Sequence, residues 1–228
     1  MAIPEAVRPY VRQTWKPLVI EADGPLTASK FSGQPFLKPG ESWPCCQNCG
    51  QPMQLFVQLN LDTLPEVLQG EYGHGLLQMF YCVNEQTECE IACEAWWPFA
   101  RSHYPRLVAP SDSGVTVATP TESAFFSPKL IVDWAERNDY PSWGELDEYG
   151  VQLSDEAAQS LFDQGFPVSG DKLAGWPDWV QNVEYPNCPI CYEKCAWFSK
   201  SIQTTICLLC LGMLVVDILP SVKLIRNS

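Results

Sequence analysis

Cys46 and Cys49, in the stretch "PCCQNCG", form a CxxC pair followed at once by Gly50. Two thiolates at this spacing can converge on one ion, because a tight turn brings both side chains to one side and lets backbone N–H groups point at the sulfurs. A tetrahedral zinc needs two more ligands. Cys82 closes the apolar run "GLLQMFYC", and Cys89 and Cys93 follow it. A strand pair would return that end to the CxxC turn. The expected metal ligands are therefore Cys46, Cys49, Cys82 and Cys89, with Cys93 as the substitute for Cys89. Cys45, adjacent to Cys46, points away from a shared ion. The same residues have two other readings. Free cysteines can pack as small hydrophobes. A redox dithiol is the other, but it would want its CxxC at a helix start in a βαβ unit. Here Pro44 precedes the motif and an alternating segment follows it.

A second set of cysteines lies near the C-terminus. Cys188/Cys191 and Cys207/Cys210 are two CxxC pairs with fifteen residues between them, the spacing of a four-cysteine zinc ribbon. Yet the second pair sits in "TTICLLCLGMLVVDIL", an apolar, β-branched run without turn chemistry.

An internal repeat bears on this. "KFSGQPFLKPGESWPCCQNCGQPM" starts at Lys30 and "KLAGWPDWVQNVEYPNCPICYEKC" at Lys172, an offset of 172 − 30 = 142. Without a gap, that offset aligns Lys30 with Lys172, Gly33 with Gly175, Pro35 with Pro177, Pro44 with Pro186, Cys46 with Cys188 and Cys49 with Cys191. A duplicated unit is the natural explanation. The repeat stops after Lys194, where "CAWFSKSI" stands in place of a counterpart to "MQLFVQLN". A one-nucleotide frameshift predicts such a stop. Reading one base upstream, suitable codons give "MCLVFQID", which restores the pattern at the same offset. Further on they give "GCGHITQC", a cluster suited to completing a site with Cys188 and Cys191. On this reading Cys188 and Cys191 are a second metal half-site, and the tail from residue 195 is out of frame. The literal alternative is a single ribbon of Cys188, Cys191, Cys207 and Cys210.

Little else in the chain suggests chemistry. The only histidines are His74, in a turn before a strand, and His103, in a loop. Serine and cysteine nucleophiles usually need a histidine base, and no GxSxG, Walker or GxGxxG motif occurs. The carboxylates of "WGELDEYG" (143–150) read first as a solvated acidic loop, and otherwise as an acid/base or hard-cation cluster. No catalytic residue is assigned.

The elements that must position the cysteines are short. Twenty prolines and fourteen glycines punctuate 228 residues, and no helical apolar pattern runs much beyond a dozen. Segments 53–61, 75–82, 106–110 and 128–141 read as strands. Segment 154–167 is the best helix, with Ser154 as N-cap, Asp155 and Glu156 in the first turn, and Gly165 before Pro167 at its end.

Hydrophobic residues make up 46% of the chain and aromatics 12%, so it is globular. The net charge of −13, with 14 basic against 27 acidic residues, argues against nucleic-acid binding, which needs clustered Lys and Arg. A basic peptide or protein partner suits this charge better. No secretion signal is visible, and the longest apolar run is too short for a membrane span. Eleven cysteines without such a signal point to a reducing, cytoplasmic setting, where CxxC pairs read as metal ligands before disulfides.

The stretch "KFSGQPFLKPGESWPCCQNCGQPMQLFVQLNL" and its repeat resemble the YwqG-like family of domains of unknown function, which is related to the C-terminal domain of programmed cell death protein 2. The resemblance covers roughly residues 15–194. It implies a β-rich α+β fold built from two similar halves. In the eukaryotic relatives it implies a zinc-binding module that holds a protein client, with no enzymatic activity. The expected organisation is a first repeat unit at 1–125, a connecting strand and helix with the start of the second unit at 126–194, and the atypical tail at 195–228. The expected function is a non-catalytic, zinc-stabilised protein- or peptide-interaction or chaperone-like module. The alternative is a hydrolase or transferase using a carboxylate cluster.

Overall fold

The structure, a computed structural model, describes residues 3–84, 89, 99–110, 114–116, 126–179, 182–187 and 192. The chain forms two compact units. Among the described residues, one runs from Leu18 to Asp133 and the other combines the residues up to Pro17 with those from Trp134 onward.

Seven strands and two short α-helices are described. They are β1 (Arg12–Ile20), β2 (Lys30–Phe31), β3 (Gln54–Asn60), β4 (Leu76–Tyr81), β5 (His103–Val108), β6 (Lys129–Asp139), α1 (Trp143–Glu148), α2 (Asp155–Asp163) and β7 (Leu173–Ala174). The fold is thus strand-rich with few, short helices. The larger unit holds the antiparallel order β5-β4-β3-β2-β6. In the smaller unit β1 stands between β6 and β7, with Thr14 opposite Ala174 and Trp15 opposite Leu173.

Most expected elements form close to where the pattern placed them. Two expected loops do not. His103 opens β5 and is buried, because its strand continues the ladder on β4 down to the pair Tyr81↔His103. The 143–150 stretch is not a loop: it contains α1, capped by the Ser142 hydroxyl, which accepts from the Glu145 N–H. The helix at 155–163 forms as expected, with the Ser154 hydroxyl accepting from the Ala157 N–H at 3.3 Å.

Strand β3 is buried on both faces despite its alternating sequence. Gln58 and its cross-strand neighbour Gln78 are both fully buried. Their amides satisfy backbone groups that no ladder reaches. Gln58 donates to the Leu26 and Ala28 carbonyls at 2.7 and 2.8 Å and accepts from the Phe36 N–H at 3.0 Å. Gln78 donates to the Phe36 carbonyl at 2.9 Å and accepts from Arg106 at 2.7 Å. Two polar side chains thereby pin the segment before the CxxC turn onto the sheet, at little cost in unsatisfied groups.

Two turns, one in each unit, coincide residue for residue at the offset of 142. Lys30 is fully buried, its ammonium 2.7 Å from Asp23, and Lys172 is equally buried, 3.0 Å from Asp139. Ser32 (φ 57°) and Ala174 (φ 56°) are left-handed, as are Gly33 (φ 79°) and Gly175 (φ 84°) after them. The next N–H bonds the same carboxylate: Gln34 to Asp23 at 2.9 Å, Trp176 to Asp139 at 2.8 Å. A Cβ on Gly33 would lie 2.3 Å from the Asp23 carboxylate, and one on Gly175 2.5 Å from that of Asp139. Glycine is needed at both places for close approach as well as for φ. Later in the repeat, Cys45 and Asn187 are both bridge residues, and Gly50 (φ 70°) and Tyr192 (φ 61°) are both left-handed.

Candidate metal centre

The CxxC turn sits at the mouth of the β3–β4 hairpin. The Cys46 N–H donates to the Gln51 carbonyl at 2.8 Å and the Gly50 N–H to the Cys46 carbonyl at 2.9 Å, so the turn closes on itself. Cys45 and Pro52 form an antiparallel bridge below it, and the Met53 N–H reaches the Pro44 carbonyl at 2.9 Å. The Trp43 indole N–H donates to the Met53 carbonyl at 2.7 Å, fixing the approach to β3. Because β3 and β4 are antiparallel, the start of one lies beside the end of the other. Gln54 pairs with Tyr81, which places Cys82 next to the turn. Cys89 is in helical conformation and reaches the same point.

The four sulfurs of Cys46, Cys49, Cys82 and Cys89 all lie within 4.8 Å of one another. Cys46 and Cys89 are 3.9 Å apart, and Cys49 and Cys82 3.7 Å. These distances are far too long for a disulfide, near 2.05 Å. They match the spacing of sulfurs about 2.3 Å from a shared ion in a tetrahedron. Cys46, Cys82 and Cys89 are buried with Met53, Leu55 and Phe80, while Cys49 is half-buried at the edge of the cluster.

The environments of the thiols differ. Burial raises the Cys49 thiol, but hydrogen bonds led by the Asn84 side chain outweigh it and bring it down to about 6. Burial pushes Cys82 well above the usual thiol range and lifts Cys89 to about 11. A cation at the centre of the four sulfurs would favour the thiolate on all of them. Asn48 adds a side-chain N–H 3.5 Å from the Cys89 sulfur. Sequence reading passed over Asn48 and Asn84. Their signal was positional only: Asn48 lies inside the CxxC and Asn84 two residues beyond Cys82. Soft thiolates in a tetrahedral group of four can hold zinc, iron or another soft metal.

Cys45 stays outside the cluster, exposed, with its thiol 3.5 Å from the Trp43 carbonyl. Cys93, Cys188, Cys191, Cys207 and Cys210 lie outside the described residues. His74 sits before β4, its Nδ1 2.7 Å from Asp62. In α1, Glu145 is buried and its carboxylate accepts from the Trp179 indole at 2.7 Å and the Tyr185 hydroxyl at 2.5 Å.

A family model described as "Domain of unknown function (DUF1963)" matches residues 29–185. The match includes all four clustered cysteines and ends before Cys188. No curated protein matches the chain. No helix among the described residues is long and apolar enough to cross a membrane.

Proposed function

From the premise that the chain belongs to the DUF1963 family, whose model spans most of its length, we propose that it is a non-catalytic protein- or peptide-interaction, chaperone-like module whose larger unit is stabilised by one structural zinc ion. The observation that carries the metal assignment is the convergence of four sulfurs from the turn, the end of β4 and Cys89, none of them bonded to another. Four thiolates around one zinc leave no open position for water or substrate, so the ion contributes folding energy and not reactivity.

Metal analysis of protein purified under reducing conditions tests this. One zinc is expected at these four residues. Cobalt substitution should give the intense thiolate-to-metal charge transfer and visible bands of a tetrahedral sulfur site. A metal-free protein whose stability ignores chelators would overturn the assignment.

Within the family we place the chain with the YwqG-like members and attribute its two matching lysine–glycine turns to an ancestral duplication. On that basis Cys188 and Cys191 are the counterpart half-site, and the tail after Lys194 is out of frame. Sequencing the gene decides the last point: codons that cannot encode "FQID" in the neighbouring frame end the idea. A protein or peptide client in the cytoplasm fits the net charge of −13. It also fits the exposed aromatics Trp143, Tyr149 and Phe162, which lie in a stretch (138–171) without Lys or Arg. The alternative, a hydrolase or transferase using a carboxylate cluster, draws on the acids of 143–150, of which Glu145 is buried and accepts from Trp179 and Tyr185. A reaction abolished by Glu145→Gln with the fold intact would favour it.

A further inference from the structure

The four sulfurs differ in their access to water. Cys46, Cys82 and Cys89 are 2%, 5% and 2% exposed, whereas Cys49 is open at the edge. The Cys49 and Cys82 sulfurs lie 3.7 Å apart, and these two residues come from separate segments 33 positions apart. The remaining two, Cys46 and Cys89, are matched at 3.9 Å.

We propose that Cys49 is a peroxide-oxidised modification site through which the metal is released. This rests on the reading that the four thiolates hold zinc. The Cys49 thiolate attacks a hydroperoxide, breaking the O–O bond to give a sulfenic acid and hydroxide, or an alkoxide where the peroxide is organic. The Cys82 thiolate then attacks the Cys49 sulfur, forming the disulfide and expelling a second hydroxide. Two thiolates are oxidised by two electrons and one peroxide is reduced. With Cys49 and Cys82 joined in a disulfide, only the Cys46 and Cys89 thiolates would remain to hold a metal, too few for a closed four-sulfur site. A second peroxide converts Cys46 and Cys89 in the same way.

The test treats the full-length, zinc-loaded protein with hydrogen peroxide under anaerobic, chelator-reporting conditions and maps disulfides by mass spectrometry. Zinc content measured beforehand separates the two ideas, since a metal-free starting protein sinks the zinc reading itself. With zinc present, about one equivalent of peroxide per chain should release it, and the first disulfide should be Cys49–Cys82. A thiol reductant with added zinc should restore the site. Cys45→Ser, outside the cluster, should release zinc within about twofold of the parent rate. Retained zinc, release without oxidation of Cys49, a first disulfide between Cys46 and Cys49, or dependence on Cys45 each overturns the proposal.

Discussion

Asp139 has four partners within the smaller unit: the Lys172 ammonium and the N–H groups of Tyr140, Val168 and Trp176. Both charges of the Lys172–Asp139 pair are fully shielded from water, whereas in the matching Lys30–Asp23 pair the Asp23 side chain is 34% exposed. Removing one partner of a fully buried pair strands the other, at a cost of about 3–5 kcal/mol. Lys172→Met should therefore destabilise the protein by that amount in urea titration, and Lys30→Met by clearly less, because water can solvate Asp23. Equal losses would contradict the difference in burial. Gly175→Ala should cost more than the roughly 1–2 kcal/mol of a left-handed residue alone, since its Cβ meets the Asp139 carboxylate. Glu41 contributes to the pH dependence. Burial raises its carboxyl, but the Lys38 N–H and the Arg106 guanidinium, which bonds it directly, hold it below the ordinary 4.5. A depressed carboxyl adds stability that is complete above the unfolded value and is lost as pH falls through the folded one. Glu41→Gln should flatten the acid limb of the stability curve below about pH 4.5 and leave neutral pH nearly unchanged in slope.

At the scale of elements, the capped helix α2 offers a direct test. Ser154→Ala removes the hydroxyl that accepts from Ala157 and should cost about 1 kcal/mol; no loss would mean that the bond is not formed in solution. This helix was legible from sequence because cap, acidic first turn and terminal glycine agree. Strands β3 and β4 were legible from their apolar, strand-forming runs. Strand β1 was not, because Pro17 interrupts it and its exposed Leu18, Val19 and Ile20 show no two-residue alternation. His103 misled for a related reason: Pro105 two residues later reads as a loop signal, yet the ladder bond it lacks does not stop β5 from pairing with β4. Of the four clustered cysteines, the CxxC pair is readable at sight. Cys82 follows only if a hairpin is assumed. Cys89 depends on where the chain goes after β4, which no local pattern dictates, so the sequence kept Cys93 beside it as a substitute.

For the molecule as a whole, the four-cysteine cluster joins segments that are distant in sequence within the larger unit. An ion bound only by the folded form stabilises it by mass action, about 2.7 kcal/mol when free zinc is a hundredfold above its dissociation constant. Stripping zinc with a high-affinity chelator at neutral pH should lower the melting temperature, and re-addition of zinc, not magnesium, should restore it. Cys82→Ser should have a lower melting temperature that no longer responds to zinc. A chelator-insensitive parent would show that the sulfurs merely pack.

The order of the ligands along the chain also constrains how the protein is made. Cys46 and Cys49 emerge from the ribosome together, but Cys89 is 89 − 49 = 40 residues later. At about 5–20 residues per second, that is a wait of roughly 2–8 s. During this interval the nascent chain presents an open two-thiolate turn, which only the closing of the β3–β4 hairpin can bring to Cys82. Loading must therefore follow hairpin formation, and chains stalled before Cys82 should hold zinc far more weakly than chains stalled beyond the larger unit. On the proposed zinc reading, the hairpin forms first and the finished four-sulfur site is its product.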